Sequence, residues 1–478
     1  MAIYFVSAAS STPGAVSTPN NGNDGLCPIG LAAQSTSPSY NTSTRTITDP
    51  GFGNILGDNS IAGCLVYINW GGATGGVNGL YEVESNNLGL QTVVLKPATG
   101  LATVNTTALT FSDGPWATLT YMASATPIAS AGGDDHRIVR TNWEDGTELV
   151  YRGTTANFTW GNNGTAANRI RVASADFTGK PSLFPVKLGG STSSGGATPI
   201  LTLPGSLVYV TFILLEFVGG SGGGGAPTTG VTTGASNADI TFRACVARNV
   251  SSHGFSITSS ASRVNCVDCW AYSCGGSGFA HSATGNSHLF SGCCSWGNTA
   301  NGFSVTGVGL FTMDDCVAFA NTGDGYNLNA SVTAGVFSQC MAAFNTGDGF
   351  EFASGSATRI VYCSSSNNGG WGFNATSPIS SGRIGSFPNN HAFGNSSGAV
   401  GPAGSEATYL TNILISTGDP RFTSTVTGAL DLNPTTGSPL LNSGYNRRLG
   451  QSIDTPRNIG GTQGGGGASG FSPPRNRF

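Results

Sequence analysis

The sequence predicts an all-β solenoid, a coil of short strands stacked in parallel, and three observations carry that prediction. A repeat of 23–24 residues runs through the middle of the chain, glycine and aromatic residues recur in fixed columns of it, and the composition is turn-rich and poor in charge. Of the 478 residues 73 are glycine, about twice the usual share, and 9% are charged against a typical ~25%. Yet 38% of the chain is hydrophobic, which separates it from disordered polymers, whose apolar content is too low to build a core.

The repeat is clearest from Cys245, with equivalent residues at Cys269, Cys293, Cys316, Cys340 and Cys363. Nine residues after each cysteine stands a glycine: Gly254, Gly278, Gly302, Gly325, Gly349 and Gly372. An aromatic follows at once: Phe255, Phe279, Phe303, Tyr326, Phe350 and Phe373. Two residues after the cysteines only alanine or serine occurs, from Ala247 to Ser365, and three residues before them the column is mainly Phe, Met and Ile. Five residues after, an asparagine ladder forms at Asn298, Asn321, Asn345 and Asn368. Asparagine tolerates left-handed backbone and hydrogen-bonds along a ladder, so this column predicts the bend of each coil.

Alternation such as Phe350-Glu351-Phe352 is strand-like, and no 3.6-residue period runs through the repeat. Coils of paired parallel strands stack about 4.8 Å apart, so like residues fall on like residues inside. The pattern extends to both sides. "VYVTFILLEFVGG" aligns on "ITFRACVARNV" with Leu215 in the cysteine column, and the intervening "GGSGGGGAPTTG" reads as a loop thrown out of a coil. Downstream, Ala392 and Asn395 repeat the A-x-x-N spacing without the aromatic.

The pattern C-x-A-x-x-N-x-x-D-G-F is similar to the right-handed parallel β-helix repeat of the pectate-lyase-like superfamily. Near the start, "NNGNDGLCPIG" and then "GATGGVNGLYEVES" resemble openings of extracellular and phage-borne β-helix proteins. Asp419, Pro420, Phe422, Ser438, Pro439, Asn442, Gly444, Asp454, Arg457, Ile459 and Gly460 match the closing segment of many bacterial and phage members. The resemblance implies a β-rich region over 1–150, holding a cap and early coils, and a right-handed parallel β-helix body over 151–400, with regular coils over 240–385. A C-terminal closing segment follows over 401–463, then a Gly-rich, Arg-tipped tail over 464–478.

A net charge of −4 without a basic stripe argues against nucleic acid, and Asp239–Val400 contains no lysine. The longest apolar run, "LVYVTFILLEFVGG", is broken at Glu216 and falls short of a membrane span. The start has no basic n-region, so no signal peptide is expected. Eleven cysteines without such a signal predict reduced thiols rather than a disulfide framework. "CVDC" at 266–269 has redox or metal spacing. In register, however, Cys266 falls in the Phe/Met/Ile column and Cys269 in the cysteine stack, which predicts core packing. No cofactor or metal site is expected.

The candidate catalytic residues are Asp324, Asp348 and Glu351. Asp324 and Asp348 share a column on successive coils, so their carboxylates would lie about 5 Å apart, near a retaining glycosidase's separation, and Glu351 lies on the outward side of its strand. The same column also holds His253, Ser277, Asn301 and Trp371, and Asp before Gly is ordinary turn chemistry, so in register the pair marks two turns first. "GDDHR" over 133–137 superficially resembles the acid-plus-histidine sets of polygalacturonases, but the other motifs of that family are missing. Pectate lyases imply calcium carboxylates and a basic residue on one face; the regular coils offer Arg243, Arg248, Arg263 and Arg359, none in a column with the acids.

The expectation is a structural protein of a virus particle, a bacteriophage decoration, fibre or spike subunit made in the host cytoplasm. Its partners would be other virion proteins or copies of itself, through Gly464–Phe478, and host glycans. A carbohydrate-active enzyme, lyase or hydrolase, including a depolymerising tailspike, is the alternative. A secreted bacterial surface protein is the third reading.

Overall fold

The computed structural model describes residues 3–6, 38–49, 62–87, 90–106, 109–111, 135–139, 150–152, 158–176, 179–182, 185–189, 198–219, 227–258, 260–285, 287–307, 310–328, 334–352, 358–375, 390–401, 414–416, 422–424 and 431–434. The loop 220–226, the tail 464–478, the resemblance at the N-terminal opening and most of the closing pattern lie outside them. The described residues form strands and turns with no helix. They fall into two compact units, Met1–Tyr151 with Trp160–Lys187, and Arg152–Thr159 with Leu188–Phe478.

In the first unit, antiparallel strands including Leu65–Asn69, Gly79–Asn87 and Thr92–Leu95 close around Ile47, Val66, Ile68, Trp70, Val83 and Leu95. Ile3–Val6 and Ile170–Ala175 pair in parallel with Asp135–Val139.

The second unit is the right-handed parallel β-helix, the hand that parallel crossovers adopt almost without exception. Each coil supplies one strand to each of three parallel sheets. A representative coil runs Ala238–Arg243 in the first sheet, Val246–Arg248 in the second and Phe255–Ile257 in the third. Register follows the columns of the sequence: Phe242 pairs with Cys266, Ala247 with Ala271, Phe255 with Phe279. The flanking coils agree, since Glu216 pairs with Val246, placing Leu215 beside Cys245, and Ala392 pairs with Ser365.

Inside, the aromatic column from Phe255 to Phe373 is a continuous stack with ring centroids 4.6–5.0 Å apart and nearly parallel planes. Each such pair contributes about 0.5–1.5 kcal/mol beyond its burial. Rings of the first sheet, Phe290 and Phe337, meet this stack edge-on. The glycine column is explained by approach rather than by backbone conformation. A Cβ on Gly325 would stand 2.7 Å from the Gly349 carbonyl oxygen and 2.8 Å from the Ala342 Cβ. The glycine and small-residue columns therefore require each other.

The ten described cysteines are free and buried, as expected of reduced thiols packed in the core. The thiols of Cys245, Cys269, Cys316 and Cys340 each donate to a backbone carbonyl of the preceding coil, for example Cys269 to Phe242 O at 3.3 Å. Burial pushes the Cys245, Cys293, Cys316 and Cys363 thiols well above the ordinary thiol range. At the next coil Asn390 stands in the column, and its Nδ2 reaches Ile360 O in the same manner.

One expectation is corrected. The asparagine ladder is buried and bonds along the helix axis, Nδ2 to Oδ1 at 2.8–2.9 Å from Asn298 to Asn395, but its residues do not take the left-handed backbone. That conformation falls one position earlier, at Asn249, Ser273, Gly297, Ala320, Phe344 and Asn367, and again just before each cysteine, at Ala244, Asp268, Gly292, Asp315, Gln339 and Tyr362. The bends are thus made by residues of every chemical type, because the inner ladder fixes the chain around them. The outer face of the second sheet is apolar: Trp270, Trp296, Val317, Phe319 and Met341 point away from the coil interior and are buried in a cluster of their own.

Candidate functional site

The outward row of the third sheet is set by alternation. In Phe350-Glu351-Phe352 the two rings go in and Glu351 goes out, and the same offset places Asn327 and Asn374 outward on the neighbouring coils. Following that row from Thr202 through Ser256 and Ser304 to Asn374, every side chain is half-exposed. Among the described residues of this sheet and of the turns that lead into it there is no lysine or arginine. The described arginines of the regular coils lie elsewhere. Arg243, Arg263 and Arg359 are on the first sheet, Arg263 paired with Asp239, and Arg248 on the second pairs with Glu216.

The turns before these strands carry a second row. His253 Nδ1 accepts from the backbone N–H of Ser277, Asn301 Oδ1 from Asp324, Asp324 Oδ1 from Asp348, and Asp348 Oδ1 from Trp371. The column thus needs an acceptor for the next coil's amide, and Asp, Asn and His all meet it. This is the turn role the sequence indicates, and it uses one oxygen of each aspartate.

The other oxygens make the site. Asp324 Oδ2 accepts from Asn327 Nδ2 at 2.7 Å, and the same amide donates to Glu351 Oε2. Asp348 Oδ2 accepts from Asn374 Nδ2 at 2.6 Å. Burial pushes the Glu351 carboxyl up to about 7, helped by its hydrogen bond to Asp324 and by the charges of Asp324 and Asp348. Asp348 is raised as well, chiefly by burial and further by Asp324, while its bonds from Asn374 and the Trp371 amide pull it back down. Two oxygens that share one amide nitrogen lie within about 5 Å of each other. With Glu351 carrying a proton near neutral pH, that proton satisfies the close approach of two acids. The structure therefore brings Asp324, Asp348 and Glu351 together. Asn327 and Asn374 join them, residues the sequence reading passed over; their signal was the position they share with Glu351, eleven residues after a cysteine.

The remaining candidates fall elsewhere. Of "GDDHR", Asp134 is outside the described residues; His136 is buried against Trp160, ring centroids 5.0 Å apart, and its burial lowers it to about 3. Arg137 bonds Asp135 at 3.0 Å. His136 is thus a core residue that cannot reach a substrate. Cys266 and Cys269 lie in the interior. Among the described residues no three His, Cys, Asp or Glu side chains are arranged to hold a metal ion.

No protein-family model matches the sequence, and no curated protein matches it either. Among solved structures the chain is similar to pectate lyase Pel9A, at 17% identity over 66% of this chain and 79% of that one, with a TM-score of 0.50. It is also similar to the full-length tailspike protein 2 of the Escherichia coli O157:H7 bacteriophage CAB120, at 10% identity over 66% of this chain and 42% of that one, TM-score 0.39. ORF18 of Geobacillus virus E2 matches at 14% identity over 59% and 52%, TM-score 0.39. At these identities the likeness to the pectate lyase is one of fold, and it bears out the parallel β-helix read from the repeat.

Proposed function

We propose that this protein is a structural subunit of a bacteriophage particle, a decoration, fibre or spike protein, whose β-helix is a rigid rod that meets host glycans on the outer face of its third sheet. The observation that carries the reading is that face: a half-open row of hydroxyl and amide side chains at rung spacing, converging on Asp324, Asp348, Glu351, Asn327 and Asn374. Fixed donors and acceptors on a rigid sheet are what orient a polar ligand. The particle itself is supported by the sequence resemblances at the opening and closing segments. Its partners would be other virion proteins or further copies of this chain, held through Gly464–Phe478.

The Asn327 amide shared by Asp324 and Glu351, with the Glu351 carboxyl pushed up to about 7, favours a second reading, a polysaccharide hydrolase with Glu351 as proton donor at neutral pH. Asn327 Nδ2 donates to both carboxyls and so fills the gap in which a retaining pair would flank the scissile bond. The binding subunit is therefore the better fit.

One assay separates the two. The purified chain is incubated with host-cell polysaccharide, and both retention and new reducing ends are measured. Retention without new ends supports the binding subunit; new ends that vanish in Glu351→Gln make it an enzyme. Electron microscopy of the native assembly tests the particle, and failure to find the chain in any virion would overturn that part of the proposal.

A further inference from the structure

The third-sheet face also carries information about which glycan it takes, and this inference rests on the glycan-binding reading above. From Thr202 to Asn374 the outward row spans eight coils, about 34 Å at the spacing of paired strands. That length accommodates several sugar rings of a linear chain. Along it, hydroxyls, amides and one alanine face outward, and the charged side chains gather at one place, Asp324, Asp348 and Glu351.

We propose that the ligand of this face is an uncharged polysaccharide, and that the acid group excludes polyuronates and other polyanionic glycans. The physical argument is one of sign. A polyuronate carries a carboxylate on every sugar, so any register along the row would bring some of them against Asp324, Asp348 and, once it ionises, Glu351, with no lysine or arginine among the described residues of that face to offset them. Like charges held about 4–5 Å apart on a half-open protein surface repel, and such a repulsive element discriminates between ligands that hydrogen-bond equally well. The described arginines of the regular coils do not rescue a polyanion. Arg263 and Arg248 are committed to Asp239 and Glu216, and Arg243 and Arg359 stand on another sheet. A neutral chain meets no such term, and its hydroxyls can donate to the carboxylate oxygens and accept from the Asn327 and Asn374 amides.

The test is retention of the full chain in gels cast with neutral linear polysaccharides (dextran, galactan, glucomannan, arabinan) or with polyuronates (polygalacturonate, alginate), at low salt with EDTA. A triple variant, Asp324→Asn, Asp348→Asn and Glu351→Gln, is run beside the wild type. Asn301 already fills the turn column, so the two asparagines keep the backbone acceptors, and a thermal midpoint confirms folding. The expected result is wild-type retention by at least one neutral polysaccharide, with polyuronates at least tenfold weaker. In the triple variant, or in 1 M salt, that gap should narrow several-fold. Wild-type binding to a polyuronate as tight as to any neutral chain, and lost in the triple variant, would overturn the inference while leaving the glycan face in place. No retention by any polysaccharide of either class would remove the glycan-binding reading itself, and this inference with it.

Discussion

The outer faces of the second and third sheets are built on the same plan, three-residue strands stacked coil on coil, and differ in what stands at the outward positions. On the third sheet those positions hold Ser256, Ser304, Asn327, Glu351 and Asn374, all half-exposed. On the second they hold Trp270, Trp296, Val317, Phe319 and Met341, all buried, with Tyr272 stacked on Trp296 at 4.3 Å. The same backbone ladder thus carries a wet face and a dry one, told apart by the side chains at its outward positions. Ser364, Ser366 and His391 continue the dry face as a buried polar patch in which Ser364 Oγ lies 3.1 Å from His391 Nδ1. A hydrogen bond at that depth replaces the water that a wet face would supply.

The largest effect should come from placing a charge on the dry face. Met341 is fully buried, and Met341→Lys leaves an ammonium with no partner, which should cost about 4 kcal/mol or more. Ser304→Lys, on the wet face, should stay within about 0.5 kcal/mol. Urea midpoints of the two variants decide the matter. A loss at Ser304 comparable to that at Met341 would mean the third face is not open, and the proposed glycan face would go with it.

A pair of asparagines sharpens the contrast between inside and outside. Asn345 is buried, gives Nδ2 to Asn368 and takes both the backbone N–H and the Nδ2 of Asn321 on its Oδ1. Asn345→Leu orphans several of these groups at once and should cost roughly 2–4 kcal/mol. Asn327 differs in kind, since it bridges Asp324 and Glu351 on the solvent side. Asn327→Ser should leave the melting temperature within about 2 °C and weaken glycan retention instead. If both variants melt alike, the ladder is not holding the bend.

Acid is the next lever. His281 and His288 are buried side by side, ring centroids 4.4 Å apart, in columns otherwise occupied by Ile257 and Val305 or by Val264 and Phe311. Burial first, and then the neighbouring His288, lower His281 to about 3; burial lowers His288 too. Because the folded value lies below the unfolded ~6.5, the unfolded chain binds protons first. This contribution is therefore intact above pH 6.5 and is lost on acidification, by up to about 1.4 kcal/mol per pH unit for each histidine. His281→Leu should flatten the fall between pH 6 and 4, and a variant as acid-sensitive as wild type would show that the histidines do not limit it.

Much of this was legible because the interior is periodic. Each column of the sequence became a stack, down to Leu215 beside Cys245 and Asn395 at the end of the ladder. The dry face was not legible, because no single residue type runs along it: valine, tryptophan, cysteine, valine and methionine follow one another at the first outward position. Identity of residues marks stacking inside a coil, whereas an outer face requires only a shared hydrophobicity, which a 23–24-residue repeat hides. The acid site was legible in part. The column of Asp324 and Asp348 could be read, but the approach of Glu351 depends on a side chain crossing from the strand to the turn, and on Asn327 between them, which register alone does not supply.

The smallest expected effect is also the one that most directly probes the wet face. Glu351 is raised to about 7 in the folded chain, above its unfolded value near 4.5, so here the folded state holds the extra proton. The sign is thus opposite to that of a salt-bridged carboxylate. Glu351 weakens the fold as pH rises from about 4.5 through 7 and adds no further penalty above that, and the site is half open, so solvent screening should hold the effect to about 1 kcal/mol. Glu351→Gln should remove this slope, making the variant slightly more stable than wild type at pH 8 and equal to it at pH 4.5. Asp324→Asn should remove part of the slope by taking away the charge and hydrogen bond that raise Glu351. Melting curves at pH 4.5, 6 and 8 for the three proteins check both, and parallel profiles for wild type and Glu351→Gln would mean that the acids on this face titrate independently of one another.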